Sequence, residues 1–598
     1  MLRVIFPALL LGSAISVIAD SQAEKRVESL LTQMTLAEKI GQMTQVDSAG
    51  LPDKSHIQKY ALGSVFSGGG SDPANNSPLA WLKLTEECKS WALKTRLKIP
   101  LLYGVDAVHG HNNVDGAVIF PHLIGLGATR NPKLVEETAR ITALELAGTG
   151  VNWDFAPCVA VAQDPRWGRT YESFSDSPEL AGELGLAAVR GLQGIHFNQP
   201  NSVLACAKHY AGDGGTQGGV DQGNVVMDEA DFRKAHVAPY LPAIKAGVGS
   251  VMASFNSWNG TKLHAHKQLL TDVLKGELGF KGFVVSDWAA IDQLAPNFKD
   301  GIALAINAGV DMAMIPNGPG QGNNYMDYIS KLTELVQEKR VPTTRIDDAV
   351  RRILRTKLAM GAFEAKPVDP ALTAAIGSAA HRKVAREAVR ESLVLLKNDA
   401  SALPLSKNLK RIQVVGKAAD DLGMQCGGWT ISWQGETGKV MGGGTTILEG
   451  IRATVGSGVT VSYSPDGSGV KEADAVIVVV GETPYAEGKG DRQDLRLPTG
   501  DVALIQKAKQ NGTPVVTVLV SGRPLILGEG LTASDAFVAA WLPGTEGQGV
   551  ADILFGDYKP TGKLPRAWPR SSEQLAQALF PFGHGLTFKA SRLSALRE

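Results

Sequence analysis

Cysteine is scarce in this chain: 4 among 598 residues, at Cys88, Cys158, Cys206 and Cys426. No two form a CxxC pair, and their spacing is too wide for a zinc pattern, which excludes a metal-stapled or disulfide-dense scaffold. Isolated buried thiols are the expected state. An excess of one charge is also absent. Lys plus Arg is 60 and Asp plus Glu is 60, for a formal net charge of +0. That balance creates no long-range field to attract nucleic acid or an anionic membrane, so neither is expected as a partner, and an uncharged substrate fits. Beyond the N-terminus no apolar run is long enough to span a bilayer. The run at residues 4–11 follows Arg3, and its continuation is broken by Gly12, Ser13 and Ser16. It is short against the ~20 residues of a membrane span. With Ala19 and Ala23 as cleavage positions it reads as a signal peptide over 1–23, and no Cys lies nearby to carry a lipid. Export to the periplasm or the medium is expected, with no membrane attachment after leader cleavage.

Other chemistries are excluded by what their motifs lack here. The glycine-rich stretch 212–219 has no Gly-Lys-Ser/Thr ending, so it is no phosphate loop. There is no GxSxG elbow for a serine hydrolase. The pairs His109/His111 and His264/His266 have no third ligand in their pattern, so no catalytic metal and no cofactor are expected. No feature sets an oligomeric state.

What is present is alternation. With 598 residues, 44% of them hydrophobic and 20% charged, the chain is an ordinary globular sequence too long for one core. From 24 to 362, short apolar runs alternate with amphipathic stretches. The strand-like runs are residues 100–105, 151–156, 203–207, 250–255, 282–285 and 309–314. Several end in polar clusters: Asp106 and His109, Lys208 and His209, Asn256, Asp287. A TIM-type (β/α)8 barrel predicts that layout, because its site is built at the carboxyl ends of the strands. A low-pattern stretch with Pro367 and Pro370 follows, read as a linker over 363–385. A long helical pattern is expected over 381–397. Further strands are expected at 412–415, 475–480, 514–520 and 536–541, alternating with helices. This second unit, 386–588, is expected to be an α/β sandwich domain with an open sheet covered on both faces. Residues 589–598 form a C-terminal tail. The 67 glycines suit the tight turns of two α/β domains.

Two segments carry the chemistry. In Gly282-Phe-Val-Val-Ser-Asp-Trp288 a buried strand delivers Asp287 and Trp288 at its end. A carboxylate there can attack an electrophilic carbon, although a strand-end Asp can also simply cap a helix. In Gly481-Glu-Thr-Pro-Tyr-Ala-Glu-Gly-Lys-Gly-Asp491 a polar loop offers Glu482, Glu487 and Asp491. Spacing alone does not separate that loop from a solvated acidic one.

Together with Asp164-Pro-Arg-Trp-Gly-Arg-Thr-Tyr-Glu172, Lys208-His-Tyr210, Gly212-Asp-Gly-Gly215, Gly562-Lys-Leu-Pro565 and Phe580-Pro-Phe-Gly-His-Gly-Leu586, these segments resemble the motifs of family 3 glycoside hydrolases, in order, from about residue 36 to 588. The resemblance is to the two-domain exo-β-glucanase and β-glucosidase branch. It implies a retaining enzyme acting on a β-linked glucose oligo- or polysaccharide. Asp287 would be the nucleophile and Glu487 the acid/base, with Glu482 five residues away as the competing choice. Retention requires carboxyls about 5–5.5 Å apart. By the same resemblance Asp106, Arg169, Lys208 and His209 would bind sugar hydroxyls, with Arg169, Lys208 and His209 donating. Trp288 and Trp433 would sandwich the next glucose outward, and Met252, Phe255 and Met314 would line the pocket. Interstrand salt bridges for Arg169 and Lys208, and a core tautomer for His209, are the alternatives on residue type alone. Trp429 is assigned to core packing. Charges on Asp287 and Glu482 are expected to raise the Glu487 pKa. Relatives often carry Glu after the position of Gly215; here Asp221 or Gln222 occupies that stretch. Other specificities within the family (β-xylosidase, N-acetyl-β-glucosaminidase) and a non-catalytic carbohydrate-binding protein stay open.

Overall fold

A computed structural model describes residues 21–194, 197–199, 201–468, 473–510 and 512–588. The leader, apart from its last three residues, and the C-terminal tail expected from the sequence lie outside the described residues. Among these no helix is long and apolar enough to cross a membrane.

The first domain is a parallel eight-stranded barrel. Its strands in chain order are β1 (Thr44–Asp47), β2 (Ser64–Ser67), β3 (Leu102–Val105), β4 (Trp153–Asp154), β5 (Leu204–Tyr210), β6 (Ser250–Ala253), β7 (Phe283–Val285) and β8 (Ala313–Ile315). Each pairs in parallel with its neighbours in sequence, and β8 returns to β1 with Thr44 opposite Ala313. A bridge between Val285 and Met312 closes the ring. Six of the eight strands were legible as apolar runs. The first two were not, because Thr-Gln-Val-Asp and Ser-Val-Phe-Ser carry polar residues that are nonetheless buried. Gln45 Nε2 donates to Ser64 Oγ at 2.9 Å inside the core, which offsets part of the cost of burying them.

Three barrel helices start in the same way. Ser77-Pro78, Asn131-Pro132 and Ser177-Pro178 each place a side-chain oxygen on an orphan backbone N–H and a proline in the first turn. The expected linker is ordered. It holds a helix at Pro370–Ala375 that lies on the barrel, where Thr373 Oγ1 donates to Gly148 O at 2.7 Å. The long helix expected over 381–397 is a helix, Ala379–Ser392, followed by a strand, β9 (Val394–Asn398). The unbroken apolar run from Leu393 to Leu396 has no period and fits either form, and pairing with a second strand decides for β.

The second domain adds β10 (Arg411–Val415), β11 (Thr460–Ser464), β12 (Ala475–Gly481), β13 (Val515–Val520) and β14 (Ala536–Trp541). The sheet order is β9-β14-β13-β12-β10-β11, parallel except for the antiparallel edge strand β9. Strand order reverses between β10 and β12, and in such sheets the crevice beyond that reversal is where loops build sites. The loop after β10 carries Trp429 and Trp433, and the loop after β12 carries Glu487. Both reach across to the barrel mouth. Tyr171 Oη donates to Tyr485 O at 2.7 Å, Gly168 N donates to Asp491 Oδ1 at 2.8 Å, and Arg523 Nη1 donates to the carbonyls of Pro165 and Arg166.

Candidate active site

A cavity of about 510 Å³ opens between the barrel mouth and these loops. It is lined by Asp106, Arg169, Lys208, His209, Met252, Phe255, Asp287, Trp288, Met314, Trp433 and Glu487 together, so it gathers every site residue named from the sequence. The barrel residues sit just beyond strand ends: Asp106 after β3, Lys208 and His209 on β5, Met252 on β6 with Phe255 beyond it, Asp287 after β7 and Met314 on β8.

The deep part is charged and buried. Lys208 Nζ donates to Asp106 Oδ1 at 2.6 Å, with side chains 2% and 16% exposed. Arg169 forks onto Glu172, Nε to Oε1 at 2.9 Å and Nη2 to Oε2 at 2.8 Å, and its Nη1 reaches Glu487 Oε1 at 3.1 Å. One guanidinium therefore ties the two domains together at the cavity. The salt bridges weighed against substrate contact for Arg169 and Lys208 are present, and the same groups face the cavity.

Two hydrogen bonds fix Asp287. Its backbone N donates to His264 Nε2 at 3.0 Å, and its Oδ1 accepts from Trp288 N at 2.7 Å. Its Oδ2 is buried with no hydrogen-bond partner among the described residues, 3.7 Å from His209 Nε2. Burial pushes the Asp287 carboxyl up to about 6, against the pull of Arg169 and Lys208. Glu487 opens a short turn with φ +53°. Burial pushes its carboxyl up to about 8; Arg169 opposes this, and the charges of Asp221, Asp287 and Glu172 add to it. Glu482 is not among those groups and does not line the cavity. Its carboxylate accepts from Tyr485 Oη at 2.9 Å and Gly522 N at 3.1 Å, and it pairs with Arg523 at 3.3 Å. The sequence-based expectation that Glu482 raises Glu487 is thereby corrected: a buried arginine neutralises Glu482 elsewhere.

The mouth is aromatic. Trp288 and Trp433 are 45% and 37% exposed. The loop after β2 runs between them as Gly68-Gly69. A Cβ on Gly68 would meet Trp288 Cζ3 at 2.4 Å, and one on Gly69 would meet Trp433 Cβ at 2.9 Å, so only glycine fits both places. Trp429, assigned to packing from the sequence, lines the cavity too. Its Nε1 donates to Glu172 Oε1 at 3.1 Å, and the Arg169 and Lys208 cations lie 5.9 and 5.8 Å from its ring centre. Gln222, Asp292 and Gln293 complete the outer edge, with Gln293 Nε2 donating to Gln222 Oε1 at 3.0 Å. The stretch where relatives often carry Glu thus divides its work. Gln222 lines the cavity, while Asp221 accepts from Trp167 Nε1 at 3.0 Å and acts on Glu487 by its charge. His264 was weighed only as half of a metal pair; its contact with Asp287 has no sequence signal beyond a histidine between two strands.

Over residues 35–356 the sequence matches the Glycosyl hydrolase family 3 N terminal domain, and over residues 393–588 the Glycosyl hydrolase family 3 C-terminal domain. The chain belongs to glycoside hydrolase family 3. This family 3 enzyme is 34% identical to a lysosomal beta glucosidase of Dictyostelium discoideum, over 94% of this chain and 76% of that protein. It is 35% identical to a periplasmic beta-glucosidase of Salmonella typhimurium, over 92% and 74%. Among solved structures it is similar to an exo-1,3/1,4-beta-glucanase from a Pseudoalteromonas species, with TM-score 0.91 and 42% identity, covering 95% of this chain and 75% of that one. A beta-glucosidase from Listeria innocua in complex with glucose superposes with TM-score 0.83 at 29% identity, covering 94% and 83%. The two matched domains correspond to the barrel and the second sheet, so the enzyme is a two-domain glycoside hydrolase.

Proposed function

We propose that this family 3 enzyme is a retaining, exo-acting β-glucosidase that releases glucose from the non-reducing end of β-glucans or cello-oligosaccharides. One observation carries the reading. Two carboxyls from different domains face one cavity, and their surroundings prepare them for opposite roles. Asp287 presents a buried, unpartnered oxygen and is ionised above about pH 6; Glu487 keeps its proton up to about pH 8. In the first step Asp287 Oδ2 bonds to the anomeric carbon as the bond to the leaving oxygen breaks, and Glu487 gives that oxygen its proton. In the second, Glu487 takes a proton from water, the water oxygen bonds to the anomeric carbon, and the ester to Asp287 breaks. Asp106, Lys208, Arg169 and His209 are placed to hold one sugar at the buried end, where charged groups give the stronger hydrogen bonds. Trp288 and Trp433 offer apolar faces to the next sugar at the exposed mouth. This gradient from buried charge to exposed aromatic supports removal of one terminal unit at a time, and the named activities of the similar proteins agree with it.

The test is product analysis on cello-oligosaccharides labelled at the reducing end. Glucose alone should accumulate from the unlabelled end, first as the β-anomer by NMR. Cellobiose as first product, or the α-anomer, contradicts the reading. A panel of nitrophenyl glycosides separates glucoside from xyloside and N-acetylglucosaminide. Activity unchanged by a chelator is expected of a two-carboxylate mechanism. We further propose export through the leader at 1–23. Cleavage after Ala19 or after Ala23 keeps Glu24, which pairs with Arg355. N-terminal sequencing of the exported protein reads this directly.

A further inference from the structure

Behind the sugar-binding cavity, His209 sits between two acids. Its Nδ1 lies 2.8 Å from Asp213 Oδ2, and its Nε2 lies 3.4 Å from Arg169 Nη2 and 3.7 Å from Asp287 Oδ2. Asp213 follows β5 by three residues and is buried; its other oxygen, Oδ1, accepts from Gly214 N at 3.1 Å. Cys158 completes a buried group with these two. Burial, Arg169, Lys208 and His264 all oppose a charge on His209, so the ring carries one proton.

We propose that Asp213 is a positioning residue that fixes His209 in the Nδ1–H tautomer, so that the ring offers no proton to Asp287 Oδ2 and leaves that oxygen free to attack. The inference rests on the assignment of Asp287 as nucleophile. The reasoning is donor counting. Arg169 is permanently charged and can only donate. One Nη2 proton goes to Glu172 and the other points at His209 Nε2, which must then accept. The ring proton is left on Nδ1, where Asp213 accepts it. The opposite tautomer sets two donors against each other at Nε2 and needs a protonated Asp213. Burial favours that protonation, raising Asp213 to about 8 even with Arg169 opposing it; the Arg169 contact at Nε2 is what decides against it. In the opposite tautomer Nε2–H faces Asp287 Oδ2, and a hydrogen bond to a carboxylate lowers its pKa and its nucleophilicity.

Asp213→Asn tests this because of where Oδ1 goes. The amide oxygen keeps the Gly214 N–H, and the NH2 group turns to His209 Nδ1, forcing the proton to Nε2. Three results are expected in a folded variant whose Tm is close to wild type: kcat with dinitrophenyl glucoside falls at least 100-fold, KM changes by less than threefold, and the acid limb of the pH–rate profile moves to lower pH. Besides Asp213 itself, the groups that face Asp287 are Arg169, Lys208, Asp106, Glu487 and the His264 ring, which burial keeps uncharged, and the variant alters none of them. A role in packing alone would leave the limb in place. Independently, ¹⁵N-histidine spectra of the wild-type enzyme, with His209 assigned by its loss in His209→Gln, should show the Nδ1–H tautomer. An Nε2–H signal overturns the proposal even if Asp213→Asn does not fold, and so does a folded variant with an unmoved acid limb. Mapping the residue labelled by a fluoroglucoside tests the nucleophile separately, so failure of that assignment is distinguishable from failure of the tautomer.

Discussion

The buried end of the cavity and its outer wall are built by different means. The buried end comes from strand termini of a closed barrel. Asp106, Lys208, His209 and Asp287 stand on or directly beyond paired strands, and each has a close polar partner. The outer wall comes from loops of the second domain, held in place by what they touch. Trp429 and Glu487 have φ of +63° and +53°, and on the barrel side of the wall Gln222 and Ala289 have +57° and +49°. A residue with a side chain rarely adopts that backbone, and such residues collect where neighbouring structure over-determines them. In the proposed mechanism the barrel fixes where one sugar sits, and the second domain sets what may leave from it. Arg169 joins the two, bonded to Glu172 on its own side and Glu487 on the other.

Four experiments separate the two sides. The largest effect is expected on the barrel side. Asp287→Ala should lower kcat by about 10⁴-fold or more on every β-glucoside, and azide should restore turnover by taking the place of the lost carboxylate. On the loop side, Glu487→Gln should cost about 10²–10⁴-fold on cellobiose but far less on dinitrophenyl glucoside, whose leaving group needs no proton. Equal losses on both substrates would erase the distinction between the sides. Next is pH. The kcat/KM profile should be a bell, with an acid limb near 6 as Asp287 loses its proton and a basic limb near 8 as Glu487 loses its own. In Glu487→Gln the basic limb should vanish and the acid limb stay. The smallest effect belongs to the mouth. Trp433→Ala should raise KM for cello-oligosaccharides about tenfold by removing one stacking face, and leave KM for a nitrophenyl glucoside nearly unchanged.

Legibility from the sequence followed the same division. Six barrel strands, the second sheet and the deep-end charges could be read, because a buried strand of Val and Phe ending in Asp or Lys-His marks itself. The strands β1, β2, β9 and β11 could not. The first two are buried but polar, β9 is an apolar run without a period that also fits a helix, and β11 is an edge strand of alternating exposure. At the mouth Trp288 and Trp433 follow from the resemblance; Trp429 packs in the core of the second domain as expected and also lines the cavity, because burial and cavity lining coincide in one residue. Which acid of the loop faces inward depended on Arg523, 36 positions after Glu487, which occupies Glu482. No local pattern carries such a pairing. The pair of Gly68 and Gly69 was visible as a glycine cluster, but its purpose, close approach to two indoles, needed the fold.

The central claim is that one carboxylate from the barrel becomes bonded to the sugar while a second, from the other domain, serves the leaving group. It is tested most directly by trapping the enzyme with a 2-deoxy-2-fluoro-β-glucoside of a good leaving group and sequencing the labelled peptide. A glucosyl ester on Asp287 in the peptide containing Val284-Val285-Ser286-Asp287-Trp288 is the predicted result. A label on Glu487, on any other carboxylate, or on none while the enzyme turns over glucoside would contradict it.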